Sequence, residues 1–138
     1  MDSPEIRYSK YMYQPKTEKD IRCPLEYGLT LFGGKWKTRI LCVLNLGGQM
    51  RYSTLRAEMT DITDAVLASS LKELVRDGLV NRVSFNEVPP HVEYCLTDTG
   101  RSVIPILQHI CRWAEHTMTE DRKHTMKLCE RCSYTEQN

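Results

Sequence analysis

Apolar residues recur along this chain with two different periods, and the change of period organises it. From Lys35 to about Leu46, Trp36, Ile40, Val43 and Leu44 follow helical spacing, and Gly47-Gly48 ends the segment. Before it, Cys23-Pro24 reads as a helix start with proline at the first helical position, and Gly33-Gly34 as its stop. Ser53 is placed to cap a short third helix, Thr54 to Met59. Thr63 is placed to cap a fourth, in which Leu67, Leu71, Leu74 and Val75 form one stripe before Gly78. The period then shortens. Leu79 to Glu87 reads as a strand, Pro89-Pro90 as a turn and His91 to Thr97 as a second strand, with Val92, Tyr94 and Leu96 alternating against Glu93, Cys95 and Thr97. A long last helix starts near Asp98, its stripe running through Val103, Ile104, Leu107, Ile110, Cys111 and Ala114. Pro105 falls inside it and is expected to kink or delay the regular helix.

Outside these segments the pattern fades. Residues 1–21 are polar and read as an arm, residues 22–118 as one structured domain, and residues 119–138 as a polar tail. Within the domain, two helices joined by a tight turn at Met59 to Ile62 are followed by a β-hairpin. That order predicts an α+β, mainly α, winged helix-turn-helix with an N-terminal helix and a long C-terminal helix. In such a unit the second helix of the pair enters a DNA major groove, and the hairpin reaches the neighbouring backbone or minor groove.

Composition narrows the field. The 138 residues are enough for one domain with one core, and 41% hydrophobic with 27% charged residues speaks against wholesale disorder. With Lys+Arg at 19 and Asp+Glu at 18, a polybasic protein is excluded, and DNA binding requires segregated charge. The charge is segregated: Arg22, Lys35, Lys37, Arg39, Arg51 and Arg56 fall between Arg22 and Ala57 against the single acid Glu26, while Asp61 to Asp98 is net acidic. The longest apolar run, Ile40 to Leu44, is too short to cross a bilayer, and the first residues lack the apolar region of a signal peptide. A cytoplasmic protein without membrane association is expected. No nucleophile–base–acid set or phosphate-binding glycine loop points to an enzyme, and neither a cofactor nor a metal is expected.

Four segments carry a family resemblance: GGKWKTRIL (Gly33 to Leu41), RYSTLR (Arg51 to Arg56), LKELVRDGLVNR (Leu71 to Arg82) and VPPHVEYCLTDTGRSVIPIL (Val88 to Leu107). Together they closely resemble the HxlR-type bacterial transcriptional regulators, winged-helix relatives of the MarR group. The likeness covers about Cys23 to Met118, and the proline pair ahead of VEYCLT is its most specific part. It implies a homodimer on a palindromic double-stranded operator. Some members sense electrophiles or oxidants through a cysteine just ahead of the first helix, the position of Cys23. Where members carry Arg after the proline pair, this chain has His91.

On this reading the recognition helix spans Thr63 to Asp77. Thr63, Asp64, Ser69 and Ser70 are candidates to read bases, Ala65 to touch a thymine methyl, and Lys72 and Arg76 to lie on the same outward side. Lys35, Lys37, Arg51 and Arg56, near helix starts together with Ser53 and Thr54, are candidates for phosphate. His91 is the wing candidate. The last helix is more apolar than a lone domain needs, and Val103, Leu107, Ile110, Cys111, Trp113 and Ala114 are read as a dimer interface. At a helix N-cap beside Arg22, Cys23 sits where unpaired amides and the helix dipole favour the reactive thiolate, so it is the candidate sensor for a small electrophile or oxidant, and Cys111 a candidate partner for it across subunits. Cys42 reads as core, Cys95 has no assigned role, and the lone pair Cys129 and Cys132 reads as two incidental thiols in the tail. The competing reading is a winged-helix module that contacts proteins and not DNA.

Overall fold

The structure, a computed structural model, describes residues 21–120. Both the N-terminal arm and the tail with Cys129 and Cys132 lie outside the described residues. The chain divides into two units, ending and beginning at Gly33 and Gly34. The described part of the first is helix α1, Pro24–Phe32. Cys23 is its N-cap in extended conformation, Pro24 opens it, and Gly33 closes it by donating to the Leu29 carbonyl at 2.7 Å. None of its residues is buried.

The second unit contains α2 (Lys37–Gly47), β1 (Met50–Arg51), α3 (Tyr52–Glu58), α4 (Asp64–Arg76), β2 (Val80–Phe85), β3 (His91–Leu96) and α5 (Asp98–Thr117). Its sheet is antiparallel in the order β1-β3-β2, with Met50 opposite Tyr94, Val80 opposite Leu96 and Phe85 opposite His91. The core is built from Ile40, Leu41 and Leu44 of α2, Leu55 of α3, Leu67, Leu71 and Leu74 of α4, Leu79 and Val80, Leu96, and Val103, Ile104 and Leu107 of α5. Helices α3, α4 and α5 all pack on α2.

Several boundaries differ from expectation for identifiable reasons. Helix α2 begins at Lys37, because Trp36 takes the N-cap position. Helix α3 begins at Tyr52, so Ser53 lies inside its first turn and caps nothing; Arg51, extended by its pairing in β1, holds the N-cap position. Two-residue β1 has no periodicity to betray it. Helix α5 runs unbroken through Pro105. Proline there removes one amide donor on an exposed side, while buried Val103, Ile104 and Leu107 hold the helix on both sides of it.

The junction of α4, β2 and α5 is the most constrained part. Gly78 adopts φ +82°, and the amides of Leu79 and Gly78 return to the carbonyls of Leu74 (2.9 Å) and Val75 (3.1 Å), the paired bonds of a Schellman stop. The Thr97 hydroxyl donates to the Gly78 carbonyl at 2.6 Å and accepts from the Gly100 amide at 2.9 Å. One side chain thus caps α5 and ties it to the end of α4. Gly100 packs so closely that a Cβ there would lie 2.1 Å from the Leu79 carbonyl oxygen. Alanine is the better helix former, yet Gly100→Ala is expected to destabilise the fold by roughly 1–3 kcal/mol, because backbone must move to admit the methyl. Urea unfolding checks this; an unchanged or higher midpoint would contradict the close approach.

Candidate nucleic-acid interface

Helices α3 and α4 form the helix-turn-helix pair, and the turn between them places Asp61 at φ +67°. Thr63 caps α4 as expected, its hydroxyl accepting from the Val66 amide at 3.2 Å. The inward stripe of α4 is Leu67, Ser70, Leu71 and Leu74. Ser70 belongs to it and is only 9% exposed, so it is not a base reader: it completes the i, i+3, i+4, i+7 face that packs inward. The outward side carries Thr63, Asp64, Ala65, Ala68, Ser69, Lys72 and Arg76. The Ser69 hydroxyl donates to the Val66 carbonyl at 3.1 Å, which leaves it an acceptor toward solvent.

The N-terminus of α4 is held by α3. Arg56 donates from Nε to the Asp64 carboxylate at 2.8 Å, and the Tyr52 hydroxyl lies 3.3 Å from the same oxygen. Tyr52 was not singled out from the sequence. Its signal is the i, i+4 spacing to Arg56, visible only once α3 is known to begin at Tyr52. The Arg56 hydrogen bond and charge hold the Asp64 carboxyl below its ordinary value. Tyr52 is raised, first by burial and then by the neighbouring Asp64.

Other candidate cations are already engaged. Lys37 pairs with Glu73 of α4 at 2.7 Å, and its side chain is only 13% exposed; it ties α2 to α4. Arg76 pairs with Asp77 at 3.1 Å. Lys35 and Arg39 both lie 4.8 Å from the centre of the Trp36 ring, which fixes two positive charges at the start of α2. Arg51 is exposed, as are Ser53 and Thr54, and it stands opposite Glu93 in the sheet.

The wing departs most from expectation. His91 stacks on Phe85 with ring centres 4.6 Å apart, and its ring nitrogens face Glu93 at 2.9 Å and Glu87 at 3.6 Å. It is folded into the hairpin and is not a tip contact. Glu93 also accepts from Gln49 at 2.7 Å, and that bond, with His91 and Arg51 nearby, holds its carboxyl below the ordinary range. The hairpin tip, residues 86–90, carries Glu87 and a fully exposed Val88 and no Lys or Arg.

On α5 the expected interface residues separate. Val103 and Leu107 are buried in their own domain, whereas Ile110 is 48% and Trp113 69% exposed, joined by Ile106 at 51%, which sequence reading missed. Ile106, Ile110 and Trp113 are spaced i, i+4, i+7 and form a second apolar stripe on the same helix. Cys111 and Ala114 are half-buried. In the first unit Cys23 is an exposed thiol whose side chain makes no cap hydrogen bond, and Arg22 is directed to Glu26 at 3.0 Å. Arg22 is therefore not an unengaged charge beside the sulfur. Cys42 and Cys95 are half-buried thiols. Among the described residues no metal-binding cluster occurs, and no helix is long and apolar enough to cross a membrane.

The Arg56–Asp64 pair has a pH signature. A depressed carboxyl contributes its stabilisation above the ordinary Asp range and loses it as pH falls through the folded-state value. In an NMR titration Asp64 should protonate at lower pH than an ordinary aspartate, and Arg56→Gln should move its midpoint up. An unmoved midpoint would contradict the pairing.

Comparison with known proteins fits this geometry. The model of the HxlR-like helix-turn-helix family matches residues 31–122. An uncharacterized HTH-type transcriptional regulator of Methanothermobacter thermautotrophicus is 42% identical over 108 residues, covering 78% of this chain and 82% of that one. The crystal structure of YtcD, an HTH-type regulator by its name, matches with a TM-score of 0.66 and 41% identity over 70% of this chain and 97% of that one. The redox regulator HypR in its oxidized form matches with a TM-score of 0.64 and 37% identity over 70% and 99%. The capped, outward-facing α4, its hairpin and these likenesses agree: the chain belongs to the HxlR-like helix-turn-helix family of DNA-binding transcriptional regulators.

Proposed function

We propose that residues 22–118 work as a homodimer on palindromic double-stranded operator DNA, with α4 in the major groove. The carrying observation is the division of α4: Leu67, Ser70, Leu71 and Leu74 are held inside, and Thr63, Asp64, Ala65, Ser69, Lys72 and Arg76 are left outside. Exposed Lys35 and Arg51 are assigned phosphate contacts, whose number sets the salt dependence of binding. Lys37 and His91 are not assigned to this role, because they are engaged with Glu73 and with Glu87 and Glu93, and neither is Ser70, which is buried. DNA over a protein-binding module is favoured by these cations.

Dimerisation is assigned to the second stripe of α5, Ile106, Ile110 and Trp113, with Ala114 and Cys111 beside it. Helix α1 also leaves Leu25 70% and Leu29 49% exposed, one turn apart. A two-fold axis through such an interface spaces the recognition helices about 34 Å apart, one DNA turn. A switch by a small electrophile or oxidant is assigned to Cys23, which is exposed at the start of α1; the likeness to a redox regulator supports this, and Cys111 is the candidate second thiol.

Two experiments test the reading. Fluorescence anisotropy on DNA from upstream of the protein's own gene should give tight, salt-dependent binding over scrambled DNA, lost after diamide. Cys23→Ser should keep the binding and lose the diamide response; a mutant that responds like the parent would remove Cys23 as the sensor. In sedimentation, Ile110→Glu with Trp113→Glu should convert the dimer to monomer and weaken operator binding at least tenfold, about 1.4 kcal/mol. A double mutant that stays dimeric would place the interface elsewhere.

A further inference from the structure

The start of α4 is short of the side chains that most often read bases. From Thr63 to Ser70 the sequence is TDAVLASS, with no Arg, Lys, Asn or Gln. Arg, Asn and Gln make the strong paired contacts to purine edges, so this helix must read by other means. Leu67 and Ser70 are buried, Ala65 and Ala68 carry only methyl groups, and the hydroxyls of Thr63 and Ser69 are bonded to the backbone of Val66. Asp64 is the one ionised group in this stretch, and its side chain is 76% exposed.

Asp64 is held by one of its two oxygens. Arg56 donates from Nε to Oδ1 at 2.8 Å, and the Tyr52 hydroxyl lies 3.3 Å from Oδ1 and 3.4 Å from the Asp64 carbonyl oxygen. Oδ2 has no hydrogen-bond partner among the described residues. An exposed ion pair of this kind adds little to stability. Its effect is directional: with Oδ1 fixed by two donors from α3, Oδ2 is a pre-oriented acceptor in the first turn of α4. The Arg56 charge also offsets that of the carboxylate, which reduces its repulsion from nearby phosphates. Because the bond uses Nε, the two terminal nitrogens of Arg56 remain as donors.

We propose that Asp64 reads the exocyclic amine of a cytosine in each half of the operator, with Arg56 and Tyr52 as the residues that position it. This rests on the proposed placement of α4 in the major groove. There guanine presents O6 and N7 and thymine presents O4, all acceptors, which repel a carboxylate. Cytosine N4 and adenine N6 are the donors. The adenine amine lies between its own N7 and the O4 of its paired thymine. The cytosine amine has an acceptor on one side only, the O6 of its paired guanine. A carboxylate with one free oxygen therefore favours cytosine. An asparagine in its place carries donor and acceptor together, the pattern that matches adenine N6 and N7.

The test uses the full-length chain to select bound duplexes from a random pool, and compares the wild-type motif with those of Asp64→Asn and Asp64→Ala. Wild type should select a palindrome with cytosine at one position of each half-site. Asp64→Ala should lose the preference at that position alone, and Asp64→Asn should move it to adenine. By anisotropy, replacing that C·G pair with T·A in both half-sites should weaken wild type roughly tenfold and Asp64→Ala less than about twofold. Tyr52→Phe and Arg56→Gln should blunt the same preference, and Arg56→Lys, which keeps a donor, should restore part of it. A structural role alone would lower affinity for every sequence and leave the preference intact, which would overturn the positioning role. A palindrome selected unchanged by both Asp64 variants would overturn the role of Asp64 and leave the operator reading standing. A wild-type chain that selects no sequence would overturn the operator reading and the role of Asp64 with it.

Discussion

The packing of α4 against α2 decides which side of α4 is left outward. Leu67, Leu71 and Leu74 are almost entirely removed from water, as are Ile40, Leu41 and Leu44 of α2. Each such side chain contributes about 1.5–3 kcal/mol by leaving water, so the rotation of α4 about its own axis is fixed by several of them at once. A helix held on one stripe has no choice about what faces outward. Thr63, Ala65, Ser69 and Lys72 are exposed because Leu67, Ser70, Leu71 and Leu74 are not. The Lys37–Glu73 pair across α2 and α4 and the Arg56–Asp64 pair from α3 act on the same helix from its flank and its N-terminus. Their energies are modest beside the core, and their use is to set register and side-chain direction.

The same helix is tied to α5 at its other end. Thr97 caps α5 and donates to Gly78, the residue that stops α4, while Gly100 sits against the Leu79 carbonyl. Helix α5 carries buried Val103, Ile104 and Leu107 on one side and exposed Ile106, Ile110 and Trp113 on another. The element assigned to dimer contact is therefore rigidly joined to the element assigned to DNA contact. Two copies paired through α5 would hold their α4 helices at a fixed spacing, which is what recognition of a palindrome needs.

Much of this is legible in the sequence, and the rest depends on contacts and burial that spacing does not encode. The helices, the hairpin, the Thr63 cap and the Gly78 stop follow from spacing and from residue types whose local physics is decisive. Lys37 reads as available for phosphate because its partner Glu73 lies far along the chain, and His91 reads as a wing contact because only the folded hairpin brings its ring to its near neighbours Glu87 and Glu93. Ser70 reads as outward although it is buried, because a small polar residue on a core stripe leaves no hydrophobic signal. Val103 and Leu107 read as one interface with Ile110 and Trp113 because a helix apolar on two faces shows one broad stripe in sequence. Strand β1 offers only two residues, defined by pairing with β3 and not by any pattern of its own.

Hydroxyl-radical footprinting of the protein on DNA upstream of its own gene tests the central claim most directly. The account predicts two protected patches on one face of the duplex, their centres about one helical turn apart, with no discrete protection on scrambled DNA. Protection that ignores sequence, or no protection at concentrations where the chain is folded and dimeric, would contradict α4 as a DNA-reading helix.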